Sequence, residues 1–285
     1  MSAFRTRFAP SPTGYLHLGH VYSALSVRRA ADAAGGDALL RIEDIDTARC
    51  KPDFETAILE DLAWLGLSWD GEMRRQSDHL DDFASALDAL IGKGVMYRCF
   101  KTRKEVMAEA DRAPHGAGYV YFGPDTPMSA DEESERAASG EAYAWRLSLR
   151  ACRDLLGPEY DRLSFVEENE GPNGETGDIK AAPERLGDAV LARKDVATSY
   201  HLACAHDDAL QGVTHIVRGQ DLFEVTHLHR LIQAVMGWPA PVYRHHGLIK
   251  DESGERLAKR RGGGTLRALR AAGARPEDVL ARLNQ

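Results

Sequence analysis

The sequence predicts an α/β fold: a parallel-sheet domain interrupted by a smaller inserted α+β module and closed by short helices. Three observations carry this. Strand-like apolar runs alternate with helical periodicity over residues 1–96, the βαβ pattern of a parallel sheet. Residues 97–187 break the alternation with Gly116, Gly118, Gly123-Pro124, Gly157-Pro158 and Gly171-Pro172, between short strand-like pieces such as Ala144–Leu147. Ordered apolar segments then return over residues 188–285.

The elements follow in order. A short strand ends at Phe8, and Val21, Ala24, Leu25 and Arg28 recur at helical spacing until Gly35-Gly36 stops the helix. Ala38–Glu43 reads as a buried strand. Pro52 opens a second helix with Phe54, Ile58, Leu62 and Leu65 on its apolar face, and Gly66 ends it. Leu80, Phe83, Leu87, Leu90 and Ile91 mark a third helix, stopped at Gly92. Beyond the insertion, Ala189–Arg193 and Val213–Val217 read as strands. Thr226 is expected to N-cap a helix that carries Leu228, Leu231, Ile232 and Val235 and closes at Gly237. Two short helices are expected after Gly262–Gly264, one from near Thr265 and one from Pro276.

Composition narrows the class. The hydrophobic fraction of 43% is that of an ordinary globular protein, and no apolar run is long enough to cross a membrane. The N-terminus shows no secretory signal, so a cytoplasmic location is expected. Cys50, Cys99, Cys152 and Cys204 form no CxxC pair, which points to free thiols. The net charge of −8 argues against a generic nucleic-acid coat but leaves room for local basic faces. Two clusters qualify: Arg98, Lys101, Arg103 and Lys104, and Arg256, Lys259, Arg260 and Arg261.

Four tracts carry chemistry. Arg7-Phe8-Ala9-Pro10-Ser11-Pro12-Thr13-Gly14 leads into His17-Leu18-Gly19-His20 at a helix start, where imidazoles and bare N–H groups can meet a phosphate. Arg256-Leu257-Ala258-Lys259-Arg260, followed by glycines, suits either a phosphate clamp or an exposed basic turn. Arg218, directly after a strand, falls at the carboxyl edge of the sheet, where a guanidinium fork suits a carboxylate; a surface turn would explain it equally well. Glu43-Asp44-Ile45-Asp46, also after a strand, could hold Mg²⁺, an amine or a ribose, or be an acidic turn.

Taken together, these residues resemble the class I aminoacyl-tRNA synthetases of the glutamyl type. His17-Leu18-Gly19-His20 resembles the HIGH motif, and Arg256–Arg260 resembles the KMSKS loop with Arg256 and Ala258 in place of Lys and Ser. Arg7–Gly14, Ile42-Glu43-Asp44 and Val217–Asp221 resemble tracts of the glutamyl/glutaminyl subgroup. The resemblance implies a Rossmann-type catalytic domain carrying an acceptor-binding-like insertion. It implies that Arg7, Phe8, Ala9, Pro10, Ser11, Glu43, Tyr200 and Arg218 bind glutamate and its adenylate. His17, His20, His245 and Lys259 would contact ATP, with His17, His20 and Lys259 catalytic and Mg²⁺ accompanying the nucleotide.

The shortness of the stretch after Lys259 resembles truncated paralogues that glutamylate the queuosine base in the anticodon of tRNA(Asp), and a monomer is expected. A minimal core charging a tRNA 3′ end, or a non-catalytic paralogue binding glutamate or tRNA, would use the same residues. Relatives often carry a zinc site in the insertion. Here Cys99 and Tyr121 keep two of its positions while Lys101 and Asp125 replace two cysteines, so no zinc is expected and hydrogen bonds or a Lys101–Asp125 ion pair could stand in.

Overall fold

The computed structural model describes residues 3–109, 111–112, 119–124, 128–193, 198–249 and 264–283. β1 (Arg5–Phe8) passes through the Pro-Ser-Gly turn into α1 (Leu18–Ala34). That helix buries Val21, Ala24, Leu25, Val27 and Ala31, and stops at Gly35 with φ 61°, a left-handed conformation open to glycine. β2 (Asp37–Ile42) pairs parallel with β1, from Arg5 opposite Asp37 to Phe8 opposite Leu40. Gly36 enters this strand against Phe4, and a Cβ there would lie 2.1 Å from the Phe4 carbonyl oxygen. Backbone cannot yield as a side chain would. Gly36→Ala is therefore expected to destabilise the protein by about 2–3 kcal/mol, seen as a lower urea midpoint at unchanged slope.

α2 (Pro52–Trp64) opens with proline in its first turn, with Asp53 and Glu55 beside it at the positive end of the helix dipole. β3 (Arg74–Arg75) extends the sheet beyond β2, again in parallel. α3 (Leu80–Gly92) buries Phe83, Ala86, Leu87 and Leu90. Leu80 is 40% exposed, against expectation. It is the first residue of the helix, at the margin of the buried face. The chain reverses at Gly94 (φ 70°) rather than at Gly92, which is the last helical residue.

β4 (Met96–Cys99), α4 (Arg103–Glu109), β5 (Asp111–Arg112), β6 (Tyr119–Val120), α5 (Ala130–Ala138), β7 (Ala144–Leu147) and α6 (Leu149–Leu156) follow. Then come β8 (Ser164–Glu167), β9 (Gly177–Lys180), β10 (Val190–Arg193), α7 (Tyr200–Leu210), β11 (His215–Gly219), α8 (Val225–Met236), β12 (Val242–His246), α9 (Leu266–Ala271) and α10 (Pro276–Arg282). The larger strands form three sheets: β1-β2-β3, β11-β12-β8-β9 and the antiparallel β10-β7-β4. β11, β12 and β8 run parallel. β1 lies beside β11, tied by the Thr214 N–H to the Arg5 carbonyl at 2.9 Å, so the two parallel groups bring their carboxyl ends together.

Strand pairing crosses the expected boundaries at 96/97 and 187/188. β8 and β9 leave the stretch 97–187 to join β12, while β10, from beyond it, pairs with β7. Glycine and proline density reports where the chain turns, not which sheet a strand completes. The helix expected to be capped by Thr226 begins two residues earlier, after Glu224, and no side chain caps it. The Thr226 hydroxyl is engaged elsewhere: it accepts a hydrogen bond from Arg218.

The core has two main parts. One gathers α1, β1, β2 and α2, and Leu266, Val279 and Leu283 of the C-terminal segment complete it. The other packs α3, α6, α7 and α8 against β7, β11 and β12. No described helix is long and apolar enough to cross a membrane, and the four cysteines are free.

Candidate active site

A cavity of about 550 Å³ opens where the carboxyl ends of the parallel strands converge. β1 and its following turn bring Arg7, Phe8, Ala9, Pro10 and Ser11 to it. The start of α1 brings His17 and His20, the end of β2 brings Glu43, α7 brings Tyr200 and β11 brings Arg218. The turn is braced against the end of β2, since the Glu43 N–H donates to the Pro10 carbonyl at 3.0 Å. Residues separated by more than two hundred positions thus face one space.

Arg218 is 4% exposed. Its Nε–H donates to His245 Nε2 at 3.1 Å, and its Nη2 donates to the Leu222 carbonyl at 3.0 Å and to Thr226 Oγ1 at 2.6 Å. Nη1 is buried and has no partner. A buried cationic donor left unpaired is costly unless a ligand supplies an acceptor. The geometry therefore favours the carboxylate ligand over the surface turn.

Arg7 and Glu43 belong to a buried ionic chain. Asp208 Oδ1 accepts from Arg7 Nε and from Arg41 Nη1, both at 2.8 Å, and Arg41 Nη2 donates to Glu43 Oε1 at 2.9 Å. Two guanidinium groups and two carboxylates balance, as burial in low dielectric requires. Burial alone would raise the Asp208 pKa, but the Arg7 and Arg41 charges outweigh it and hold the carboxyl well below its usual range. Burial dominates at Glu43 and raises its pKa, with Arg41 and Arg7 acting against it. The Cys204 thiol sits in the same cluster, pushed up to about 12 by burial and then by Asp208.

His17 and His20 cap α1 reciprocally. Gly19 N–H donates to His17 Nδ1 at 3.1 Å, and His17 N–H donates to His20 Nδ1 at 3.3 Å, with the two rings stacked at 3.7 Å. Burial lowers both pKa values, that of His20 to about 4 with His17 adding to the effect. Neutral rings whose Nδ1 atoms accept must carry their hydrogens on Nε2. The pair therefore presents N–H dipoles, not cationic charge.

Burial also lowers the pKa of His201, His215, His227, His229, His245 and His246. These rings stay neutral in the fold but protonate in the unfolded chain, near pH 6.5. The unfolded state then binds more protons, so stability falls as pH drops from about 6.5 towards about 4. A urea midpoint that declines steadily over that window is the expected result; a midpoint unchanged between pH 7 and pH 5 would contradict it.

His245 departs from its expected place at the nucleotide. It is 1% exposed and lies behind Arg218, bonded to Glu167, while His246 lines the cavity. Successive residues of a strand point to opposite faces, and β12 turns His245 inward. Lys259 and the rest of Arg256–Arg260 lie outside the described residues. The flanking positions do not: Ile249 lines the cavity, and Leu266 N–H donates to the Leu16 carbonyl at 2.7 Å, beside His17.

In the insertion, Cys99 and Tyr121 are buried with Val106 in a small apolar cluster. Lys101 Nζ stands 5.8 Å from the centre of the Tyr121 ring. Asp125 lies outside the described residues, and with it the expected pair to Lys101. Arg98, from the first basic cluster, stacks on Trp145 at 4.5 Å and pairs with Glu133. Sequence reading missed Arg41, Asp208, Thr226 and Glu167 as parts of the site. Arg41 alone carried a signal: a charge inside the apolar strand Ala38–Glu43 requires a buried partner.

Histidine N–H groups at a helix start and an unpaired arginine donor thus face one cavity at the carboxyl ends of parallel strands, where open α/β folds bind their ligands. The family model described as tRNA synthetases class I (E and Q), catalytic domain, matches residues 3–284. The chain is 46% identical to a glutamyl-Q tRNA(Asp) synthetase of Rhodobacter capsulatus, an alignment covering 96% of this chain and 97% of that one. It is 38% identical to glutamate–tRNA ligase 2 of Dinoroseobacter shibae, over 96% of this chain but 59% of the ligase. The crystal structure of a glutamate tRNA ligase from Elizabethkingia meningosepticum in complex with its amino acid superposes with a TM-score of 0.73 at 28% identity, covering 96% of this chain and 54% of that one. The chain belongs to the E and Q class I tRNA synthetases, and among them to the glutamyl-Q tRNA(Asp) synthetases.

Proposed function

We propose that the protein activates L-glutamate with ATP and transfers the glutamyl group to the queuosine base in the anticodon of tRNA(Asp). The observation that carries the glutamate half is the unpaired Nη1 of Arg218 in the cavity wall. The near full-length likeness to the Rhodobacter enzyme supports the acceptor. An oxygen of the glutamate α-carboxylate attacks the α-phosphate of ATP, and pyrophosphate leaves. A queuosine hydroxyl then attacks the acyl carbon and loses its proton, and AMP leaves. No protein nucleophile is needed.

In this reading Arg218 takes the side-chain carboxylate, and Tyr200 closes the pocket. Glu43, paired with Arg41, receives the α-amino group. Arg7, Phe8, Ala9, Pro10 and Ser11 line the adenylate. His17 and His20 present Nε2–H groups to the phosphates, Lys259 adds a cation, and Mg²⁺ enters with ATP as part of the substrate. His245 acts through Arg218 rather than on ATP. The enzyme works as a cytoplasmic monomer. It needs no structural zinc, because Lys101 stands where a thiolate would be required and Cys99 packs among apolar groups.

The test is labelled glutamate supplied with ATP to tRNA(Asp) with and without queuosine. Labelling confined to the modified tRNA, and released by mild base, is expected. Equal labelling of both tRNAs would favour charging of the 3′ end, and no pyrophosphate exchange with glutamate would favour a non-catalytic paralogue.

A further inference from the structure

Arg218 is held by an unusual number of fixed partners for a residue that must meet a ligand. Of its donors, Nε–H is taken by His245 and both Nη2 hydrogens by the Leu222 carbonyl and Thr226 Oγ1. The guanidinium also lies over the ring of buried Tyr243, at 5.3 Å. Only the hydrogens on Nη1 remain without a partner.

Each holding group is itself held. His245 Nε2 accepts from Arg218, so the ring hydrogen sits on Nδ1 and donates to Glu167 Oε2. Glu167 Oε1 accepts the main-chain N–H of His245 at 2.9 Å and that of Asn169 at 3.1 Å. Glu167 and His245 are each 1% exposed, and Thr226 is 0% exposed. The carboxylate thus selects the His245 tautomer that can accept from Arg218. The opposite tautomer would set N–H against N–H. Thr226 stands one turn beyond Leu222 and closes the other side of the fork.

We infer that Thr226 and, through His245, Glu167 are positioning residues that lock the Arg218 fork so that its one free nitrogen meets the carboxylate of glutamate. The inference rests on the reading of Arg218 as the carboxylate ligand. A flexible arginine would lose side-chain freedom on binding, whereas a clamped one has lost it during folding. β8 has a defined part in this arrangement: it reaches beside β12 and delivers Glu167 beneath the glutamate pocket.

The experiment is glutamate-dependent ATP–pyrophosphate exchange by the full chain, with KM measured separately for glutamate and ATP and the melting temperature of each variant recorded. Thr226→Val and Glu167→Gln are each expected to raise KM for glutamate about tenfold, as for a lost hydrogen bond to a charged group, while KM for ATP and kcat stay within about twofold. Thr226→Ser, which restores the acceptor, should return KM for glutamate close to the parent value. Arg218→Lys, which keeps the charge but not the fork, should raise it further still. If Arg218→Lys raises KM for glutamate and Thr226→Val and Glu167→Gln do not, the positioning inference is overturned and the carboxylate reading stands. If Arg218→Lys leaves it unchanged, the carboxylate reading itself fails. Parallel rises in both KM values with a lowered melting temperature, not rescued by Thr226→Ser, would show a merely structural role and also overturn the inference.

Discussion

Arg218→Ala is expected to raise the glutamate concentration required for half-maximal pyrophosphate exchange by about 100-fold or more, with KM for ATP little changed. The substitution removes the only donor in the cavity wall that is buried, cationic and unpaired among the described side chains. A charge-assisted bond to a desolvated carboxylate corresponds to about 3 kcal/mol or more when one partner is deleted, and each 1.4 kcal/mol is tenfold. The fold should survive. The groups left behind, Thr226 Oγ1, the Leu222 carbonyl and His245 Nε2, are neutral acceptors that water entering the vacated space can satisfy. Near-parent kinetics for glutamate would remove Arg218 from the pocket.

Asp208→Ala is expected to act on both stability and activity. Asp208 is 3% exposed and is the shared counter-ion of Arg7 and Arg41, which are 4% and 0% exposed. Without it, two guanidinium groups share the single carboxylate of Glu43. Breaking a buried pair from one side typically costs about 3–5 kcal/mol, and the loss should appear as a large drop in the urea midpoint. The surviving folded fraction should also need more glutamate, because Arg7 loses its anchor at the end of β1 and Glu43 is drawn further towards the cations. Asp208→Asn, which keeps one acceptor oxygen but no charge, should fall between the parent and Asp208→Ala. Parent-like stability in Asp208→Ala would mean that the chain of charges is not what holds β1, β2 and α7 together.

These two residues differ sharply in how visible they were beforehand. Arg218 stood in a recognisable tract, Val217-Arg218-Gly219-Gln220-Asp221, directly after a strand, and the edge of a parallel sheet is where such a residue meets ligands. Asp208 stood in a helix between Asp207 and Ala209, with nothing local to mark it. Its importance arises because α7 packs where both Arg7 and Arg41 project, a juxtaposition of segments 201 and 167 residues apart. The histidine pair was legible as a helix start. The caps add its tautomer, because rings that accept at Nδ1 and are held neutral carry their hydrogens on Nε2. His245 was misplaced for a simple reason: a strand's alternation decides which of two adjacent histidines faces the cavity, and the register is a tertiary property.

By itself, the sequence determined the local elements and the residue types at the cavity. Periodicity marked α1 to α3 and α8, glycines at 35, 66 and 237 marked their ends, and the motifs supplied Arg7, Ser11, His17, His20, Glu43, Tyr200 and Arg218, all of which reach one space. Periodicity and capping are short-range effects, governed by neighbours within a turn or two. Only the tertiary structure decided which sheet β8 and β10 complete, which acid neutralises Arg7 and Arg41, and which groups clamp Arg218. Those are choices between distant partners. They are made by the need to satisfy buried charge and main-chain bonds at the same time, a condition that exists only once the strands have come together.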